Sequence, residues 1–436
     1  MLKRLLAPKC HSLMCHIKSP HWSWEIDLYK NRWSIVSHVF GSLTFIVLSA
    51  AHQNAIAATP ISKVFGLFGE FSGPSVPAIH SISSDVVLAS NYLTTTCGPS
   101  GRFGYRISTL RGTESNSYNV IRHAGAMYAL AMSFQLHPNP SIASALVRSA
   151  QYLRENYIGP GLRPGELVVW SKSKYQLSDA ELGATGLGLA ALAEANQVKP
   201  GTVPLADLEA LGRFALSLQK EDGGFYSKYR PESGPVLEWE SLYYPGEAAL
   251  GFVELYEQDH SKEWLIAASK ALSYLARSRG GLVNVPTDHW ALIAAAKLLP
   301  YCDHSACPVS REELVHYATR ICDSIISEQI RAPGSLLDGA FDPTGLTAPV
   351  ATRVEGLLAA LEFLPKDESS LRVRIQEAAT RGVSFLIRAQ IKTGPYAGGM
   401  PRAIAAGARG ASEIRIDYVQ HALCAWLRYE KLFPGK

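Results

Sequence analysis

Five short stretches of this chain gather ionisable and aromatic side chains onto otherwise apolar sequence. They are Ser117-Tyr118-Asn119-Val120-Ile121-Arg122-His123, Glu238 to Glu247, Thr287-Asp288-His289-Trp290, Thr352-Arg353-Val354-Glu355 and Glu413 to His421. Glu247, Asp288, Glu355 and Asp417 are carboxyl groups able to exchange protons with a bound molecule. His123, His289, His421 and Tyr244 could serve as base or acid where a proton leaves carbon. Arg122, Arg353 and Arg415 carry the planar fork that grips a carboxylate or sulfate through two bonds. Tyr118, Tyr243, Trp290, Trp239 and Tyr418 offer flat apolar faces, and Gln420 adds an amide. Each group also has a plainer use. Asp288 after Thr287 makes a good helix N-cap. Glu247 beside Pro245 would complement a helix dipole. Arg353 and Glu355, like Arg415 and Asp417, are two positions apart and do not face each other along a helix, so each could pair with a neighbouring helix. Arg122 and His123 could be a satisfied core pair.

The elements that must hold these residues are helices. Helical periodicity covers almost everything after residue 80, and no run of alternating strand pattern stands out. We place helices at 83–96, 118–136, 141–156, 180–195, 205–219, 245–257, 262–277, 288–299, 310–328, 349–364, 369–390 and 416–431. They alternate in kind. The even-numbered ones are rich in small residues all round, as in Leu182-Gly183-Ala184-Thr185-Gly186-Leu187-Gly188 and Ala291 to Ala296. A helix apolar on every face must be buried on every face. The odd-numbered ones are amphipathic, and several end in Gln (Gln219, Gln329, Gln390) before a Gly-rich turn. Starts of the even helices recur at intervals of about 60 residues, with one shorter step, which marks a repeated helical hairpin. Six inner and six outer helices make an all-α, closed (α/α)6 toroid. Alternate helices point the same way, so the polar stretches ring one mouth. Gathered there, the charges can pair with one another or meet a ligand, whereas buried singly they would be costly.

The 436 residues are 47% hydrophobic and 18% charged, with a net charge of +4, which excludes a disordered chain. No long basic run suggests nucleic acid. Residues 1–58 read as a secretory signal with a long basic lead, an apolar run over 35–51 and Ala55-Ile56-Ala57 as a small-x-small cleavage site. The alternative is an uncleaved membrane anchor, the only membrane association expected. Residues 59–82 form a lead-in and 83–436 the toroid. Export would let Cys302 and Cys307 form a disulfide, and the odd count of Cys beyond the leader leaves at least one thiol unpaired. No metal or cofactor motif is read.

The twelve-helix pattern, with aromatic and acidic residues at the inner-helix starts, resembles the six-hairpin toroids of carbohydrate-active enzymes. These include unsaturated-uronyl hydrolases, alginate- and heparin-type lyases and sugar 2-epimerases. The likeness covers about residues 83–431 and lies in architecture and placement, so no catalytic residue is carried over. The stretch Gln219-Lys220-Glu221-Asp222-Gly223-Gly224-Phe225 is similar to the Gln-x-x-Asp-Gly-Gly-Phe repeat of triterpene cyclase and prenyltransferase toroids. It occurs once in full, without an Asp-rich cyclisation motif or zinc set, and reads as a turn closing an outer helix.

The resemblance implies an enzyme acting on a glycan; the leader makes it an exported one, and three arginines at one mouth favour an acidic glycan over a neutral one. The first expectation is glycoside hydrolysis, with Glu247 or Asp288 as general acid and Asp417 or Glu355 positioning water. The alternative is a lyase or C5-epimerase on uronic acids, using His123, Tyr244, Tyr118, His289 or His421. A non-catalytic binding toroid would instead have its rim carboxylates fully paired with arginine. Catalytic candidates are Glu247, Asp288, Asp417, His123 and Tyr244. Binding candidates are Tyr118, Arg122, Tyr243, His289, Trp290, Arg353, Glu355, Arg415, Gln420 and His421.

Overall fold

A computed structural model describes residues 82–173, 178–302, 307, 309–405 and 407–434. The leader reading and nearly all of the lead-in therefore lie outside the described residues. Within them the chain forms α1 (Ser83–Thr96), α2 (Val120–Leu136), α3 (Pro140–Asn156), α4 (Leu182–Val198), α5 (Leu205–Ser217) and α6 (Tyr244–Asp259). There follow α7 (Lys262–Arg279), α8 (His289–Leu298), α9 (Arg311–Glu328), α10 (Thr347–Phe363), α11 (Ser369–Ala389) and α12 (Ile416–Leu432). The even helices contact one another in the cycle α2, α4, α6, α8, α10, α12 and back to α2, so the inner ring closes. The odd helices lie outside, most of them across a junction between two inner ones: α1 touches α12 and α2, and α5 touches α4 and α6.

Glycine explains why the inner helices approach so closely. A Cβ added at Gly246 of α6 would lie 2.7 Å from the backbone nitrogen of Ala291 on α8. One at Gly186 of α4 would lie 2.7 Å from the backbone of Ala248 on α6. The outer helices end in a shared device. Gln219 donates from Nε2 to the carbonyl of Ala267 on the next outer helix, Gln329 donates to Ala378, and Gln390 donates to Asp85. The following turn presents a left-handed glycine to the same neighbour. Gly223 has φ +95°, and a Cβ there would sit 2.3 Å from the Lys270 carbonyl. The Asp-Gly-Gly-Phe stretch is thus a structural turn.

The strands absent from the sequence pattern are eight pieces of two or three residues, too short to show a period. They are β1 (Arg106–Ser108), β2 (Thr113–Glu114), β3 (Ile158–Pro160), β4 (Leu167–Val169), β5 (Ala180–Glu181), β6 (Lys228–Arg230), β7 (Gly234–Pro235) and β8 (Glu413–Arg415). They tie together the loops that lead into the inner helices: β5 pairs with β6, and β1 pairs with β8, joining the start of the ring to its end. Cys302 and Cys307 form a disulfide, while Cys97, Cys322 and Cys424 are buried thiols. No described helix is long and apolar enough to cross a membrane.

Candidate functional site

Residues of three inner helices converge here: His289 at the start of α8, Glu355 in the middle of α10 and His421 in the second turn of α12. Asp288 caps α8 by accepting a hydrogen bond from the Ala291 amide at 3.1 Å, and His289 follows as the first helical residue. Its ring is buried (2% exposed), and among the described residues neither ring nitrogen has a hydrogen-bond partner. Across from it, on α12, stands His421, with ring centroids 5.4 Å apart. His421 Nδ1 lies 2.7 Å from Glu355 Oε1 of α10 and 3.0 Å from Gln420 Nε2. One ring nitrogen cannot donate and accept at once. The carboxyl contact is the shorter, so Nδ1 donates to Glu355 and Nε2 is left for the cluster. Burial holds the His289 imidazole well below its usual range, with His421 and Arg353 adding to the effect. Burial likewise raises the Glu355 carboxyl, against the pull of His421.

Aromatic groups frame the pair. Tyr243 meets His289 edge-on at 5.2 Å, and Trp290 lies 6.1 Å from His421. Trp290 is buried and meets Tyr128 of α2 at 6.2 Å. Tyr128 lines a cavity of about 440 Å³ at the opposite mouth, together with Gln135, Glu194, Glu257 and Lys297. Trp290 thus lies between the histidine cluster and that cavity. The charges of the far cavity close on themselves, since Lys297 Nζ lies 2.9 Å from Glu257 and 3.2 Å from the buried Glu254.

Asp417 is clamped by two arginines. Arg415 donates to it from Nε and Nη2 at 2.6 and 2.9 Å, and Arg122 Nε lies 3.1 Å away. Burial opposes ionisation, but Arg122 and then Arg415 outweigh it and hold the carboxyl below its ordinary range. Such a group orients Arg122 and is a poor general acid. Arg353 stacks over Phe341 at 4.8 Å and pairs with Glu328 at 3.1 Å.

Glu247 is buried beside Tyr244, and its Oε2 has no partner among the described residues. A Cβ at Gly183 would lie 2.2 Å from that oxygen and from the Tyr244 ring, so only glycine leaves them room. Burial, then Asp288 and Glu181, push the Glu247 carboxyl well above its usual range. Burial also raises the Tyr244 hydroxyl, helped by Glu181. Asp288 is pushed up to about 6 by burial, against its partner Arg279 at 2.8 Å. Its two oxygens are committed to the cap and the arginine.

His123 and Tyr118 turn elsewhere. Tyr118 donates to His123 Nδ1 at 2.7 Å, and His123 Nε2 donates to the Ser149 carbonyl of outer helix α3 at 3.0 Å. The ring is fully buried among Phe103, Tyr118 and Tyr152. Both nitrogens are used inside the wall, and burial lowers its pKa to about 4. The structure therefore brings His289, Glu355, His421 and Tyr243 together, sets Arg122 on Asp417, and sends His123 into the layer between α2 and α3. Sequence reasoning missed Tyr105, which accepts from Arg122 Nη1, and Arg279, the partner of Asp288. Both lie off the inner helices, where no periodic signal singles them out.

No protein-family model matches the chain, and no curated protein matches it in sequence. Solved structures do match in shape. A D-mannose isomerase is 12% identical, with TM-score 0.62, over 82% of this chain and 99% of its own. Cellobiose 2-epimerase of Spirochaeta thermophila is 14% identical, with TM-score 0.60, over 80% and 97%. An α-1,6-mannanase of a Salegentibacter species is 12% identical, with TM-score 0.57, over 81% and 100%. At such identities the likeness establishes the (α/α)6 toroid and leaves the chemistry to the site.

Proposed function

We propose that this toroid is a carbohydrate-active enzyme that moves a proton at the carbon beside a sugar carbonyl. Epimerases and aldose–ketose isomerases work in this way. His289 and His421 are the acid–base pair. The observation that carries the reading is two imidazoles meeting edge-on at 5.4 Å, with both nitrogens of His289 free of protein hydrogen bonds among the described residues and Nε2 of His421 left over by the Nδ1 contact to Glu355. A base that takes a proton from carbon must be neutral, and burial keeps His289 so. Glu355 accepts from Nδ1–H and so supports a cationic His421 ring, whose Nε2–H is given to the carbon while His289 keeps the proton it removed; the two rings exchange roles in the reverse direction. Tyr243, Arg122 and Arg353 are the candidates for holding hydroxyls and the oxygen on which charge develops. The sugar substrate class is supported by the isomerase, the epimerase and the mannanase that share the fold. The apolar leader read over 35–51 extends the proposal to export.

Glycoside hydrolysis is the second reading, favoured by the buried Glu247, whose carboxyl is raised towards the neutral form of a general acid. It needs a second carboxylate roughly 5 to 9.5 Å away. Asp417 and Asp288 are tied to arginines and Glu181 to Lys228, which leaves Glu355, already engaged with His421.

The test is incubation of the protein with mannose, glucose and their oligosaccharides in deuterated water, followed by NMR. The expected result is a new epimer or ketose, with deuterium at the carbon next to the carbonyl. His289→Gln and His421→Gln should each lower kcat roughly 10²- to 10⁴-fold with little change in melting temperature. New reducing ends without deuterium exchange would sink the proposal in favour of hydrolysis.

A further inference from the structure

We infer that His289, Glu355 and His421 also form a binding site for a divalent transition-metal ion of the zinc type, and that the bound ion shuts off proton transfer. The site stands on its own geometry, and the shut-off rests on the function proposed above. Each residue comes from a different inner helix and offers one ligand atom, and these three atoms all lie within 4.8 Å of one another. Two imidazoles and a carboxylate are a donor set suited to zinc, whereas magnesium and calcium seek oxygen ligands. The second observation is that the cluster is short of partners. Both ring nitrogens of His289 and Oε2 of Glu355 are buried and without hydrogen bonds among the described residues. Buried polar atoms left unpaired cost free energy, and a cation that accepts their lone pairs removes that cost.

The geometry needs only local contraction. Zinc holds nitrogen and oxygen ligands at about 2.0–2.2 Å, so ligand atoms around one ion stand roughly 3.4 Å apart. Closing from 4.8 Å takes shifts of about 1 Å, within reach of side-chain rotation. Charge permits it as well. Glu355 supplies one negative charge, and the nearby Arg353 and Arg428 are each already paired, with Glu328 and Glu362. Three protein ligands leave a fourth position for water or a substrate oxygen. An imidazole lone pair given to zinc cannot accept a proton from carbon, so metal binding and proton transfer exclude each other.

The experiment uses the full chain stripped with a chelator and then titrated with zinc chloride by calorimetry, with metal content measured after dialysis. Cobalt(II) serves as a visible-absorption probe of the ligand geometry. Wild type should bind one equivalent. His289→Ala and Glu355→Gln should bind roughly tenfold or more weakly, and magnesium should give no signal. Glu355→Gln preserves shape and keeps the test valid if His289→Ala fails to fold. Absence of zinc binding, or binding unchanged in Glu355→Gln, overturns the site. Deuterium exchange by the stripped enzyme that persists at saturating zinc overturns the shut-off. Zinc binding by a stripped protein that is inactive on every sugar leaves the site standing and overturns the proposed function alone.

Discussion

Arg122 and His123 are neighbours on α2, yet one reaches Asp417 at the mouth and the other is sealed against α3. A single step along a helix turns the side chain by about 100°. This is why the sequence shows which stretches carry chemistry but not which residue in each stretch faces the centre. Asp288 and His289 make the same point, since the aspartate caps and pairs with Arg279 while the histidine enters the cluster. His123 gives a pH prediction. Its folded-state pKa is about 4 against 6.5 unfolded, so the unfolded chain binds the proton first as pH falls. The stability due to a neutral, buried His123 is present above pH 6.5 and is lost as pH drops towards about 4. The full loss is about 3 kcal/mol. Urea unfolding at pH 7 and pH 4.5 should show a smaller pH dependence in His123→Gln than in wild type. Equal dependence in the two proteins would place the acid sensitivity elsewhere.

Helix positions were legible for a physical reason. Inner helices packed on all sides need Ala, Leu and Gly, and that composition is conspicuous beside amphipathic neighbours. All twelve observed helices lie within three residues of the positions read from periodicity. The short strands were not legible, because pairs such as β5 and β6 are set by loops meeting in space. Among the glycines the structure separates those that are required from those that are not. Ala at Gly246 would gain about 1 kcal/mol in helix propensity. Its Cβ, however, would meet the backbone of α8 at 2.7 Å, and a backbone contact cannot be relieved by rotating a side chain. Gly246→Ala should therefore lower stability by about 1–3 kcal/mol or more. It should also disturb the cluster, because Trp290 and His289 start the helix that is pushed away. Gly281→Ala meets nothing within 4 Å and should change stability by less than about 0.5 kcal/mol. Denaturant midpoints for the two variants, with deuterium exchange on Gly246→Ala, would settle the contrast. Equal midpoints would mean that the inner ring has slack.

At the scale of the whole molecule the question is whether twelve helices fold as an array or as one closed body. In an open array each hairpin touches only its neighbours, so removing the last one costs one interface and leaves the rest folded. Here the last hairpin touches the first. α12 packs on α2 and α1, β8 pairs with β1, Gln390 donates to the Asp85 carbonyl, and His137 lies 2.7 Å from Glu430. The fully buried Trp426 and the nearly buried Tyr429 sit on this final helix. A chain ending before Glu413 would bare the apolar faces of α1, α2, α10 and α11 together, and would lose Asp417 and His421 from the mouth. Closure also explains why the polar groups of α8, α10 and α12 can be held without solvent around them, since each is braced from both sides of the ring. The truncated chain is expected to lose its cooperative thermal transition and to expose apolar surface to a hydrophobic dye. The full chain should unfold with coincident fluorescence and circular-dichroism curves. A truncated chain that kept a sharp transition and native helicity per residue would mean that the hairpins are stable without closure, and that the ring contacts only align the site.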